Sequence, residues 1–268
     1  MLTRFAPSPT GYLHFGHALA AREAFDFAAK QGGSCLLRIE DIDHTRCRPA
    51  FIDAIYEDLA WLGFSWPTPV RVQSEHLSDY ASVIEALREK DLIYRCYKTR
   101  RELPNGPYFG PNKPLSKTEE DAFPSVAKPF AWRLSMAAAK TALGENFTVQ
   151  YYDNDVLKSS DPSRHGNIVL ARKDIGTSYH IAVTHDDHIQ GISHIVRGRD
   201  LSDQTDIHVL IQRLMGWDTP RYYHHGLLMG DDGKKLSKRN FDTTIRSLRA
   251  AGKTPKHVFD MVSSGVIR

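Results

Sequence analysis

His14 and His17 stand three residues apart around Gly16 in the run Ala6-Pro7-Ser8-Pro9-Thr10-Gly11-Tyr12-Leu13-His14-Phe15-Gly16-His17. Imidazoles so placed can donate to phosphate oxygens, and a glycine between them admits a flat base against the backbone with no Cβ in the way. A second run, Lys234-Lys235-Leu236-Ser237-Lys238-Arg239, comes after the flexible Gly230-Asp231-Asp232-Gly233. Its lysines could close on a triphosphate and neutralise charge that develops in a transition state. Taken singly, each run reads as a solvated surface. Together, in this order and about 220 residues apart, each after a strand, they point to a nucleotide-binding cleft.

Such runs need elements to hold them. Leu2 to Ala6 is a short apolar strand broken by Pro7 and Pro9, and the Ala-rich stretch Ala18 to Lys30 is a helix that stops at Gly32-Gly33. Ser34 to Ile39 comes next as an apolar strand. Strand, helix and strand in this order make a βαβ unit, hence a parallel sheet with a right-handed crossover. Ligands of such sheets bind at the carboxyl ends of the strands, and anions bind near helix N-termini. Helices are predicted at Pro49 to Leu62, closed by Gly63, and at Leu77 to Lys90. From about residue 94 the texture changes. Pro104, Pro107, Pro111, Pro114, Pro124 and Pro129 exclude a continuous helix or a central strand. This reads as an insertion, with strands only at Phe130 to Leu134 and Phe147 to Tyr152. Regular α/β texture resumes at Ile168, with strands at 168–171, 179–184 and 192–196. A helix from Ser202 to Met215 closed by Gly216, a strand near 223–228 and a helical tail complete the pattern.

Composition bounds the answer. The chain has 268 residues, 41% hydrophobic and 25% charged, which suits a folded globular protein. Its 35 basic and 32 acidic residues leave a net charge of +3, so contact with nucleic acid must come from local patches. No apolar stretch is long enough to span a bilayer, the first residues have no signal-peptide core, and three cysteines (Cys35, Cys47, Cys96) make no disulfide framework. A cytoplasmic protein is expected. A secreted scaffold, a collagen, a membrane protein and a coiled coil are excluded.

The sequence resembles a family at these same residues. His14-Phe15-Gly16-His17 corresponds to the HIGH signature, and Lys235-Leu236-Ser237-Lys238-Arg239 to the KMSKS signature, of class I aminoacyl-tRNA synthetases. Arg4 to Gly11, Arg38-Ile39-Glu40-Asp41-Ile42-Asp43, Gln73-Ser74-Glu75 and Ile195-Val196-Arg197-Gly198-Arg199-Asp200 look like the glutamyl group. The resemblance implies a ligase with an α/β fold: a Rossmann-type parallel-sheet catalytic domain, an inserted α+β subdomain and a short helical C-terminal cap. The divisions expected are 1–93 and 166–239 for the two catalytic halves, 94–165 for the insertion and 240–268 for the cap. It also implies site residues. Arg4, Phe5, Ala6, Pro7 and Ser8 would line the glutamate pocket, with Glu40 on the substrate ammonium and Tyr179 and Arg197 at the remaining positions. His14, Gly16, His17 and Lys238 would meet ATP, with His14, His17, Lys235 and Lys238 serving catalysis. The reaction implied is attack of the glutamate α-carboxylate on the α-phosphate of ATP, with Mg²⁺ riding on the triphosphate.

Two departures narrow the expectation. Only 29 residues lie beyond Arg239, where a full glutamyl-tRNA synthetase continues into an anticodon-binding region. The shortened architecture resembles the glutamyl-queuosine tRNA(Asp) synthetases, paralogues that activate glutamate without tRNA and transfer it to queuosine at the wobble position of tRNA(Asp). The partners implied are L-glutamate, ATP and queuosine-bearing tRNA(Asp), with no membrane and a monomeric state. Alternatives are a non-catalytic paralogue that binds ATP or RNA, and 3′-end glutamylation of a tRNA. The second departure is in the insertion, where many members bind zinc through C-x-C and then Y-x3-C. Here Cys96 is followed by Lys98, and Tyr108 by Asn112. One thiol and a phenol make no tetrahedral thiolate site, so Cys96 and Tyr108 read as remnants and no zinc is expected. Arg95, Lys98, Arg100 and Arg101, clustered there, would suit a phosphate backbone.

Overall fold

The computed structural model describes residues 1–111, 115–122, 129–228 and 243–264. In chain order the strands are β1 (Leu2–Phe5), β2 (Ser34–Ile39), β3 (Arg71–Val72), β4 (Ile93–Cys96), β5 (Ala131–Leu134), β6 (Val149–Asp153), β7 (Val156–Ser160), β8 (Val169–Ala171), β9 (His194–Gly198) and β10 (Arg221–His225). The helices are α1 (Phe15–Lys30), α2 (Pro49–Trp61), α3 (Leu77–Glu89), α4 (Lys117–Ala122), α5 (Met136–Leu143), α6 (Tyr179–Ile189), α7 (Thr205–Met215), α8 (Ile245–Ala250) and α9 (Pro255–Ser263).

Two parallel ladders carry the molecule. In one, β1 pairs β2 and β2 pairs β3; in the other, β10 lies between β9 and β6, parallel to both. The ladders meet where the Ser193 N–H donates to the Leu2 carbonyl at 3.0 Å and the Leu2 N–H to the Ser193 hydroxyl at 3.0 Å. The strand order is therefore β3-β2-β1-β9-β10-β6. It reverses direction between β1 and β9, which is where a doubly wound sheet opens a crevice for ligands.

Alternating side chains feed two cores, one on each face. On β9, Ile195 joins a core with α3, α5, α6 and α7, while Val196 joins a core with α1, α2, α8 and α9. Helix α1 buries Phe15, Ala18, Ala21, Ala24 and Ala28, a stripe of mostly methyl groups that brings its backbone close to the sheet. Helix α7 buries nine of its eleven residues and ends at Gly216, whose left-handed backbone (φ 71°) closes its last turn.

Several expectations need correction. Residues 179–184, expected as a strand, begin helix α6. Ile181, Ala182 and Val183 are a short, fully buried apolar run, which fits either element by pattern alone. Helix α1 starts three residues earlier than expected. The helix expected from Ser202 starts at Thr205, after a 3₁₀ turn over Arg199–Gln204. The strand near 223–228 lies at Arg221–His225, and the tail forms two short helices. In the proline-rich region, β4, α4, α5 and β7 were not expected. The 94–165 stretch is joined to the rest by strand pairing: β5 pairs antiparallel with β8, and β6 pairs parallel with β10.

Candidate active site

A cavity of about 870 Å³ opens at the crevice between β1 and β9. Arg4 and Phe5 end β1, and Val196, Arg197 and Gly198 end β9, so both strand ends deliver side chains to one wall. Ala6, Pro7 and Ser8 continue the wall, held in place by the Glu40 N–H, which donates to the Pro7 carbonyl at 3.1 Å. Glu40, Tyr179, His14, Gly16 and His17 complete the set. Every expected pocket residue within the described chain thus lines this one cavity. Lys235 and Lys238 lie outside the described residues.

The two histidines build the start of α1. The Nδ1 atom of His14 accepts from the Gly16 N–H at 3.0 Å, and that of His17 accepts from the His14 N–H at 3.2 Å. This is a reciprocal capping box between the N-cap and the third helical position, made from imidazoles instead of hydroxyl and carboxylate. The spacing of three that marks the signature is the spacing of the box. Because each Nδ1 accepts, the neutral rings carry their protons on Nε2. Both rings therefore present donors at a helix N-terminus, where backbone dipoles favour anions. Gly16 has an internal reason to be glycine: a Cβ there would come within 2.9 Å of His14 Cε1.

Of the arginines that line the cavity, Arg4 and Arg197 are held on different terms. Arg4 gives its Nε (2.9 Å) and Nη2 (3.3 Å) to the two carboxylate oxygens of Asp187, a buried bidentate pair. Asp187 also accepts from Arg38 Nη2 at 2.6 Å. Burial alone would raise the Asp187 carboxyl, but Arg4 and Arg38 outweigh it and hold it below the ordinary range. Arg4 is thus already matched by an anion, and its fork is engaged within the protein. Glu40 has no such support. Among the described residues its one ion pair is with Arg38 Nη1, at 3.9 Å, and burial pushes its carboxyl up to about 7 against the pull of Arg38 and Arg4.

Arg197 is held by neutral groups only. Its Nε donates to His224 Nε2 at 3.2 Å, Nη1 to His208 Nδ1 at 3.1 Å and Nη2 to the Thr205 hydroxyl at 2.8 Å. The guanidinium lies over the Tyr222 ring, 5.3 Å from its centroid, and the residue is 5% exposed. No carboxylate forms an ion pair with it among the described residues. Of its five N–H groups, three are committed and two remain. The Tyr179 hydroxyl makes no hydrogen bond among the described residues, and burial raises its pKa.

Sequence reasoning missed the supports. Asp187, Thr205, His208 and His224 are all buried, yet nothing in a linear sequence separates them from surface polar residues. Part of the Arg38–Asp43 and Gln73–Glu75 runs proves to be scaffold. Asp41 accepts from the Ser74 N–H and hydroxyl at 2.8 and 2.6 Å, and Gln73 donates to Asp186 at 2.9 Å. In the insertion, Cys96 is buried and Tyr108 bridges to Gly166. Among the described residues no three His, Cys, Asp or Glu side chains converge as metal ligands. Asn112 lies outside them.

Among known proteins, the match runs over most of the chain. Residues 1–107 and 145–265 match the family model of the class I (E and Q) tRNA synthetase catalytic domain. The chain is 39% identical to the glutamyl-Q tRNA(Asp) synthetase of Rhodobacter capsulatus, over 96% of this chain and 98% of that protein. It is 34% identical to the glutamate–tRNA ligase of Coprothermobacter proteolyticus, over 97% of this chain but 57% of that one. The crystal structure of a glutamate tRNA ligase from Elizabethkingia meningosepticum, in complex with its amino acid, superimposes with a TM-score of 0.80 at 27% identity, covering 98% of this chain and 60% of that one. The chain therefore spans about three-fifths of the length of these two glutamate ligases.

Proposed function

The chain belongs to the class I aminoacyl-tRNA synthetases of the glutamate and glutamine group, and on that premise we propose that it is a ligase that activates L-glutamate with ATP, without tRNA, and transfers it to queuosine at the wobble position of tRNA(Asp). The observation that carries the amino-acid part is the charge pattern of the cavity. Among the described residues, Arg197 is a buried cation with only neutral hydrogen-bond partners, and Glu40 is a buried carboxyl with no hydrogen-bonded cation. Glutamate supplies the missing charge to each: a side-chain carboxylate for Arg197 and an ammonium for Glu40. The nearly end-to-end match to the glutamyl-Q synthetase supports the acceptor.

The chemistry asks little of the protein beyond position and charge. An α-carboxylate oxygen attacks the α-phosphorus, the new O–P bond forms, and the electrons of the bond to the β-phosphate leave with pyrophosphate. Glu40 and Arg197 fix the amino acid at its two ends, and Tyr179 offers its hydroxyl between them. His14 and His17 donate hydrogen bonds from Nε2–H to phosphate oxygens at the N-terminus of α1. Lys235 and Lys238 would neutralise the departing pyrophosphate. Magnesium carried on the triphosphate would withdraw charge from its oxygens. In the second step a hydroxyl of the queuosine cyclopentenediol attacks the adenylate carbonyl, the bond from that carbonyl to the phosphate oxygen breaks, AMP leaves, and the hydroxyl proton passes to an oxygen of the departing phosphate.

The test is glutamate-dependent ATP–pyrophosphate exchange without tRNA, and then labelling of tRNA(Asp) from cells able and unable to make queuosine. Exchange, and label only on the queuosine-bearing tRNA, is expected. Equal labelling of both tRNAs would leave 3′-end glutamylation as the better reading, and absence of exchange would leave a non-catalytic paralogue. Lys238→Ala is expected to slow exchange by about 10²–10³, the usual loss for one transition-state charge contact.

A further inference from the structure

Arg4 and Arg197 face one cavity with opposite surroundings. Arg4 meets a carboxylate through two hydrogen bonds. Arg197 meets two imidazole nitrogens and a hydroxyl. We propose that His208 and His224 are positioning residues that set the choice of glutamate over glutamine, because they hold Arg197 by lone pairs alone and leave its charge for the substrate. This rests on reading the cavity as a glutamate site.

The direction of every hydrogen bond is fixed by the donors. Arginine can only donate, so His208 Nδ1 and His224 Nε2 must both be bare. The proton of His208 is then on Nε2, which lies 3.1 Å from His180 Nδ1 and donates to it. The proton of His224 is on Nδ1, 2.9 Å from Asp153 Oδ1. Asp153 thus reaches Arg197 only through an uncharged ring. The rings stay neutral for a physical reason: burial first, then the charge of Arg197, holds His208 well below its ordinary pKa. Burial likewise lowers His224 against the pull of Asp153, and His180 falls to about 4. A carboxylate in place of His208 would cancel the cation, as Asp187 does for Arg4. Glutamine would then lose little, since its amide oxygen brings no charge to be matched. With the cation left open, glutamine leaves it buried and uncompensated, which binding energy penalises heavily.

Asparagine and aspartate have nearly the same shape, and either can place an oxygen where His208 Nδ1 now lies. The experiment therefore compares His208→Asn with His208→Asp, measuring calorimetric affinity for glutamate and for glutamine and the kcat of pyrophosphate exchange. His208→Asn is expected to keep the preference for glutamate within about tenfold of the parent. His208→Asp is expected to lose it by on the order of a hundredfold, mainly in glutamate affinity and less in kcat. Equal preferences in the two variants would overturn the inference. Should His208→Asp fail to fold, the pair His224→Gln and His224→Glu places the same charge difference at the other nitrogen and is judged by the same criterion. A parent protein that binds neither amino acid would remove the glutamate reading and this inference with it. A parent that binds glutamate, with variant pairs that behave alike, would remove this inference only.

Discussion

Glu40 sits where its ionised form is disfavoured until a cation arrives. A carboxyl lifted from 4.5 to about 7 loses on the order of 3 kcal/mol when ionised in the empty protein. Below pH 4.5 the group is neutral both folded and unfolded, so its contribution to stability is intact; that contribution is lost as pH rises through 7. Glu40→Gln has no such loss. It is expected to melt above the parent at pH 8, to match it near pH 4 and to show no glutamate-dependent exchange. Glutamate affinity of the parent is expected to weaken as pH falls below 7, because the substrate ammonium needs the carboxylate. A flat affinity profile from pH 6 to 8 would show that Glu40 is not its partner. Arg197→Lys turns a fork with three fixed bonds into a point charge. The glutamate KM is expected to rise at least about tenfold with a smaller change in kcat. At this scale the sequence was most legible for groups that line the cavity, because their residue types state their chemistry. Asp187, His208 and His224 were not legible, because what matters about them is burial and tautomer.

At the scale of elements, α1 shows why a motif can be read correctly and its element misplaced. Histidine is not among the usual N-cap residues, so the helix was expected to begin only where alanines accumulate. His14 and His17 cap it three residues earlier and face the cavity as a result. Helix α6 was misread because its apolar run is short and fits a strand as well as a helix, and the polar run after it, His185 to Asp187, gives no apolar signal that would extend it. Those aspartates are buried against Arg4, Arg38 and Arg71, so the helix continues through them. The two roles of His14 can be separated. Asparagine is a good N-cap, whereas alanine forfeits about 1 kcal/mol. His14→Asn is expected to unfold in urea close to the parent and His14→Ala about 1 kcal/mol earlier, while both lose pyrophosphate exchange to the same extent. Exchange at the parent rate in His14→Asn would confine His14 to a capping role.

At the scale of the molecule, a parallel sheet was legible from one βαβ unit, and its Rossmann-type form only from the resemblance to the synthetases. The proline-rich region was not, because its order comes from contacts between distant residues. Asn167 is the centre of those contacts. Its backbone N–H donates to the Tyr108 carbonyl, its side-chain amide donates to the Tyr94 hydroxyl (3.1 Å) and the Phe109 carbonyl, and its Oδ1 accepts from the Met136 N–H at 2.9 Å. Arg133 Nη1 donates to its carbonyl at 2.5 Å. Around this centre, Arg95 lies over Phe130 and Trp132, at 5.2 and 5.6 Å from the ring centroids. A segment tied in this way has polar and cation–π contacts where many relatives are expected to use a metal, and the remaining thiol, Cys96, is buried. We therefore expect purified protein to hold less than about a tenth of an equivalent of zinc and to keep its Tm in the presence of chelators. Asn167→Ala leaves the Met136 N–H and the Tyr94 hydroxyl buried without partners, a loss of about 2–4 kcal/mol. In a protein of this size that lowers Tm by roughly 5–15 °C. Elemental analysis and thermal melting decide together. Stoichiometric zinc with a chelator-sensitive Tm, or Asn167→Ala melting with the parent, would mean that something other than this polar centre holds the region to the sheet.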